Sequence, residues 1–235
     1  MPGQLVFPFG VQPALGREDF VLAPCNEQAF RFVDRWPDWP ARAAAIYGPH
    51  GSGKSHLARI WCSRSNGELI SARLLTREEA AKFSPDVPVA IEMGDVHSYA
   101  PAEERDRAIM AFIERASGPL LFTALTPPAD WPVAVPDLRS RFDALLAFPL
   151  WAPDDALLNA LVGKQFADRQ LDVREPVVKR ILTHVERTPE AIRTFIARAD
   201  LKALSERRAI TERLVLELIE AEESGRNTAP NAKNS

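Results

Sequence analysis

The stretch Gly48-Pro49-His50-Gly51-Ser52-Gly53-Lys54-Ser55 constrains this chain more than any other. It fits G-x-x-x-x-G-K-[ST] and lies between a short apolar run, Ala43 to Tyr47, and a segment of helical character, Leu57 to Cys62. A strand, a glycine-rich turn and a helix in that order make a loop whose backbone N–H groups wrap phosphates, with the helix N-terminus adding positive potential. Lys54 then reaches the β and γ phosphates of a nucleotide and Ser55 offers its hydroxyl to Mg2+. His50 reads as a solvent-facing spacer, and His56 follows on the helix, so the candidate nucleotide contacts run from Gly48 to His56.

Further apolar runs at Val87 to Ile91 and Leu120 to Leu125 alternate with helical stretches such as Arg105 to Arg115. That alternation predicts an α/β core, a parallel sheet flanked by helices. Ahead of it, residues 1–17 are dense in proline and glycine and read as an extended arm. A helix spans Asn26 to Trp36 and is ended by Pro37 and Pro40. After Trp151 the pattern is helical only. Asp154, Thr188 and Thr211 supply start signals, Pro176 lies in a first turn, and four amphipathic stretches make a small all-helical lid. The expected layout is an arm at 1–17, a nucleotide-binding core at 18–150, a lid at 151–223 and a polar, disordered tail at 224–235.

Composition narrows the function. Hydrophobic residues at 46% and charged residues at 26% belong to an ordinary globular protein, and a net charge of −3 gives no basic footprint for nucleic acid. Cys25 and Cys62 read as free, buried thiols. No apolar run is long enough for a membrane span and no secretory start is visible, so a cytoplasmic location is expected. The run Glu103 to Arg107 reads as a solvated helix start. Trp36, Trp39, Trp131 and Trp151 read as packing at element ends, and the arginines of the last helices as an exposed, salt-bridged face.

A loop of this kind needs a carboxylate at the end of a second strand to hold Mg2+. Val89-Ala90-Ile91-Glu92 supplies it. The next position, where hydrolysing enzymes of this type place a second carboxylate, is Met93; Asp95 comes two positions later. Together with LLFTALTPPADW around Ala124 and the segment Asp137-Leu138-Arg139-Ser140-Arg141-Phe142, these motifs resemble the DnaA family of AAA+ P-loop ATPases, and within it the short Hda-type regulators. The resemblance extends from about Asp19 to Leu218.

The resemblance implies roles residue by residue. Arg141 falls at the arginine-finger position, where a guanidinium enters an adjacent subunit's nucleotide site and can add ~10³ or more in rate. The plainer reading is a surface or salt-bridged arginine. Thr188-Pro189-Glu190-Ala191-Ile192-Arg193 is similar to the second sensor motif, so Arg193 would touch phosphates. Asn26 lies where relatives hold adenine. Leu125 stands where the family places its sensor aspartate, a second departure from self-hydrolysis that Thr123 or Thr126 could offset. In the arm, Gln4-Leu5-Val6-Phe7-Pro8-Phe9 is similar to the peptide that docks into the DNA polymerase III sliding clamp, or else Leu5, Phe7 and Phe9 staple the arm to its own core.

The implied protein binds ADP or ATP with Mg2+, docks on the clamp and stimulates hydrolysis of DnaA-bound ATP. A homodimer is compatible with a finger that works on a neighbour. The rival readings are an autonomous ATPase acting as a helicase loader or chaperone, and an initiator that reads an origin. The latter is not expected, because about a dozen residues follow the fourth lid helix.

Overall fold

A computed structural model describes residues 16–95, 102–171 and 173–227. Five parallel strands form one sheet: β1 (Ala43–Tyr47), β2 (Glu68–Ser71), β3 (Val89–Gly94), β4 (Leu120–Ala124) and β5 (Leu146–Pro149), in the order β2-β3-β4-β1-β5. The three inner strands carry near-continuous apolar residues because both of their faces are covered. Ala44 and Ile46 of β1 face one layer with Ala90 and Leu121, whereas Ala45 faces the other with Ile91, Met93 and Phe122. Helices α1 (Glu27–Asp34) and α2 (Lys54–Ser65) cover the first face; α3 (Arg77–Lys82), α4 (Ala102–Arg115) and α5 (Pro136–Asp143) cover the second.

The first layer is rich in aromatic contacts. Trp39 stacks on Trp61 at 4.9 Å and Phe32 on Phe148 at 4.2 Å, geometry that adds to the area these rings bury. In the second layer Trp131 meets Phe142 edge-on at 4.6 Å. Trp36, Trp39 and Trp131 thus pack at element ends, while Trp151 is exposed. Cys25 and Cys62 are free and buried.

The chain divides into two compact units: one holds residues up to Pro49 and Gly53–Leu150, the other Trp151–Ser235 together with the loop tip His50–Ser52. The second unit is built from α6 (Asp155–Ala167), α7 (Glu175–His184), α8 (Pro189–Glu206) and α9 (Glu212–Asn227). Leu158, Ile181, Ile196 and Leu214 are fully buried in it. Its helices start where the polar caps stand: Asp154 accepts from Leu157 N–H at 2.8 Å, Thr188 from Ala191 N–H at 3.2 Å and Thr211 from Leu214 N–H at 3.4 Å. Its arginines form surface ion pairs, Arg208 with Glu206 and Glu217 and Arg213 with Glu217. Among the described residues no helix is long and apolar enough to cross a membrane.

The structure adds edge strands β2 and β5 and corrects two expectations. Helix α9 continues to Asn227, past the tail boundary expected at 224, and the charged run at the start of α4 is not uniformly solvated: Arg105 is 8% exposed and Asp106 0%. The cap distances carry a prediction. Asp154→Ala should lower urea stability of the helical unit by about 1 kcal/mol, and Thr211→Ala by less, as followed by far-UV circular dichroism.

Candidate functional site

The phosphate loop begins where β1 ends. Gly48 has φ +153°, and a Cβ there would stand 1.9 Å from the Leu150 carbonyl oxygen, so only glycine lets the chain leave β1 beside the end of β5. Gly53 adopts φ +101° and caps α2, turning the loop into the helix. Lys54, the first residue of α2, donates through Nζ to the carbonyls of Gly48 at 2.8 Å and Pro49 at 2.7 Å. Burial pushes its pKa down to about 8, against the opposing pull of the Glu92 charge. Ser55 is exposed beside it.

Strand alternation decides which side chains share this site. In β3, Ala90 belongs to the α2 face and Ile91 to the opposite one, so Glu92 returns to the α2 face. In β4, Leu121 is on that face too, and Thr123 follows it; Glu92 and Thr123 are paired in the ladder. Met93 is 1% exposed and packed in the other layer. Its position is therefore a core position. Beyond it Gly94 turns through φ +60°, and Asp95 is exposed at a bend. Leu125 lies just past β4, its N–H bonded to Gly94 O at 3.3 Å, and the Thr126 hydroxyl is buried without a hydrogen-bond partner among the described residues. Of the two threonines, Thr123 is the one beside Glu92.

Two of the expected nucleotide contacts are engaged elsewhere. The Asn26 amide accepts from Ala23 N–H and donates to Val21 O, both at 2.9 Å, so it shapes the 21–26 loop. His56 is buried, with Nε2 3.1 Å from the Gly16 carbonyl and its ring edge-on to Phe20. Phe20, which no sequence signal marked, also lies against Gly53 and stacks on Phe30. Arg193 sits half-buried on α8 beside the buried Ile192 and Ile196. Gln4, Leu5, Phe7, Pro8 and Phe9 lie outside the described residues.

Arg139 and Arg141, one turn-residue apart on α5, have different circumstances. Arg139 donates to the carbonyls of Pro128, Ala129 and Trp131 and pairs with Asp143 at 2.8 Å. Arg141 is exposed and makes no hydrogen bond or ion pair among the described residues. It lines a depression with Arg42, Ala43 and Leu120, the residues at the start of β1 and β4. The phosphate loop leaves from the other end of β1, roughly 16 Å away at ~3.3 Å per residue. Arg141 therefore stands at the end of the strands opposite its own phosphate loop.

A five-stranded parallel sheet with a phosphate loop after β1, followed by a helical unit, is the fold of AAA+ P-loop domains. The architecture is shared with domain III of the replication initiation protein DnaA from Thermotoga maritima: TM-score 0.72 at 18% identity, over 89% of this chain and 97% of that one. AMPPCP-bound DnaA from Aquifex aeolicus matches with TM-score 0.63 and 15% identity over 79% of this chain and 64% of that one. The Holliday junction branch migration motor RuvB of Thermotoga maritima gives 0.58 and 20% over 76% and 61%. No protein-family model matches the chain, and no curated protein matches its sequence.

The placements of Met93 and the two arginines are testable. Met93→Glu should cost at least ~2 kcal/mol of stability and confer no ATP turnover, because the carboxylate enters the core. Arg139→Ala should cost about 2 kcal/mol through three orphaned carbonyls, whereas Arg141→Ala should stay within ~0.5 kcal/mol, both read from chemical denaturation.

Proposed function

We propose that this chain is a DnaA-related regulator of replication initiation that binds adenine nucleotide in its own loop and acts through Arg141 on ATP held by DnaA. The observation that carries the reading is an asymmetry. The positions for hydrolysing its own nucleotide are taken by a core methionine, Met93, and by Leu125, while Arg141 stands exposed at the far end of the strands. A guanidinium there faces outward to a neighbour, where it offsets charge on a γ-phosphate. Gln4 to Phe9 would tether the protein to the sliding clamp and raise the local concentration of the finger.

The nucleotide is ADP or ATP, as supported by the likeness to DnaA structures that carry AMPPCP. Loop N–H groups and Lys54 would hold the phosphates, and the resemblance assigns Arg193 the second-sensor role. Mg2+ would be held by Ser55, the phosphates and Glu92, oxygen donors of the kind this ion prefers. Bound Mg2+ supplies charge neutralisation between phosphates.

Lys54 makes nucleotide binding depend on pH. Its pKa of about 8 lies below the ordinary 10.5, and phosphates favour the charged form. Below about pH 8 the amine is already protonated and binding takes up no proton. Above it, uptake should approach one proton per site and affinity fall by up to roughly tenfold per pH unit, as calorimetry in buffers of different ionisation enthalpy will report.

The functional test is single-round hydrolysis of ATP preloaded on DnaA, with clamp on DNA. The wild type should accelerate it, and both Arg141→Ala and the Gln4→Ala/Leu5→Ala variant should fail. An inert wild type, or ATP turnover by the purified chain alone, would instead favour a loader or chaperone ATPase.

A further inference from the structure

The Arg105–Asp106 pair is the deepest charged group outside the phosphate site, and nothing in the nucleotide chemistry uses it. Asp106 is completely buried and both of its oxygens are engaged. Oδ1 accepts from Arg105 Nε at 3.0 Å and from Nη2 at 2.6 Å; Oδ2 accepts from the backbone N–H of Ala134 at 2.6 Å. Arg105 Nη2 also donates to the Pro132 carbonyl at 2.7 Å. Two adjacent side chains of α4 thus grip both ends of the 132–134 segment, which leads directly into α5. Val135 is the N-cap of α5, Pro136 its first residue, and Arg141 lies on its last turn.

A buried ion pair is a poor way to gain stability, since desolvation offsets most of its attraction and an apolar pair of like volume does as well or better. What it does supply is direction. Backbone donors and acceptors of a loop without regular structure are held at fixed points, which apolar packing does not specify. Other supports act along the same stretch: Arg139 caps the 128–131 turn, Val133 and Val135 pack against the core, and Leu138 and Phe142 enter it. The grip on Pro132 and Ala134 adds fixed polar points to the segment that leads into α5.

We propose that Asp106, with Arg105, is a positioning residue for Arg141, fixing where the free guanidinium projects from this end of the strands. The proposal rests on reading Arg141 as a finger that works in trans. Transition-state charge stabilisation demands placement within a fraction of an ångström, and a 1 Å error can cost ~10²-fold. Loss of the grip therefore lowers the turnover of the partner's nucleotide and leaves the affinity between the two proteins unchanged.

Two measurements on the full chain test this. In the first, Arg141→Cys carries a nitroxide label; Cys62 stays unlabelled because burial lifts its thiol to about 11, and Cys25 is buried. The label's electron paramagnetic resonance spectrum is compared with and without Asp106→Asn. Because the single change removes the negative charge beside the buried Arg105 guanidinium, Arg105→Met/Asp106→Leu is made as well, which removes both charges and retains the volume. In the second, the Asp106→Asn and double variants with Arg141 intact are assayed for stimulated hydrolysis.

The expected result is a folded double variant with unaltered binding of a fluorescent ADP analogue, a more mobile or doubled label spectrum, and about tenfold lower kcat of stimulation at constant KM. A folded double variant with the parent's label spectrum and kcat overturns the proposal, as does a lowered melting temperature accompanied by no change in either. If the wild type stimulates nothing, the trans-acting reading falls, and the label spectrum alone still decides whether Asp106 orients position 141.

Discussion

The parallel register of β1, β4 and β3 is the constraint on which the rest of this molecule depends. Because Tyr47 is level with Ala124 and Thr123 with Glu92, the loop that leaves β1 and the carboxylate that ends β3 arrive at the same end of the strands. The same parallelism sends α5, which runs into the start of β5, to the opposite end with Arg141. One register therefore places the phosphate loop with Glu92 at one end of the strands and Arg141 at the other. No added loop is needed to keep the two apart, since each chemistry is attached to a different end of strands five residues long.

What could be read from the amino-acid order follows from how strongly burial shapes local composition. The inner strands are apolar runs because both faces are covered, and the phosphate loop is marked by glycines that its backbone requires. The helical unit was legible from its caps. The two missed strands are the edges of the sheet: Glu-Leu-Ile-Ser and Leu-Ala-Phe-Pro are four residues long and partly exposed, so neither composition nor alternation separates them from loop. Arg105 and Asp106 were missed for a related reason. Charge at a helix start ordinarily signals solvent, and only a loop distant in sequence makes that pair a buried one.

The candidate site was legible in its motif and less so in its particulars. Gly48 to Ser55 and Glu92 could be named from spacing, and Met93 from being the wrong residue after Glu92. Arg141 is singled out in the sequence only through the resemblance; the structure adds that its neighbour Arg139 is held by three backbone carbonyls. Asn26 is named through the resemblance and His56 by following the motif, and the structure gives each a loop to hold, the 21–26 loop and the Gly16 carbonyl.

Lys54 is already in use. With its ammonium bound by two carbonyls of its own loop, an arriving anion displaces contacts that offset only part of the burial cost of that charge. A single weakly charged phosphate offers little in exchange for breaking them, whereas a di- or triphosphate brings two or more groups within reach of the same amine. A ligand that fills this loop must therefore take the place of the Gly48 and Pro49 carbonyls at the Lys54 amine.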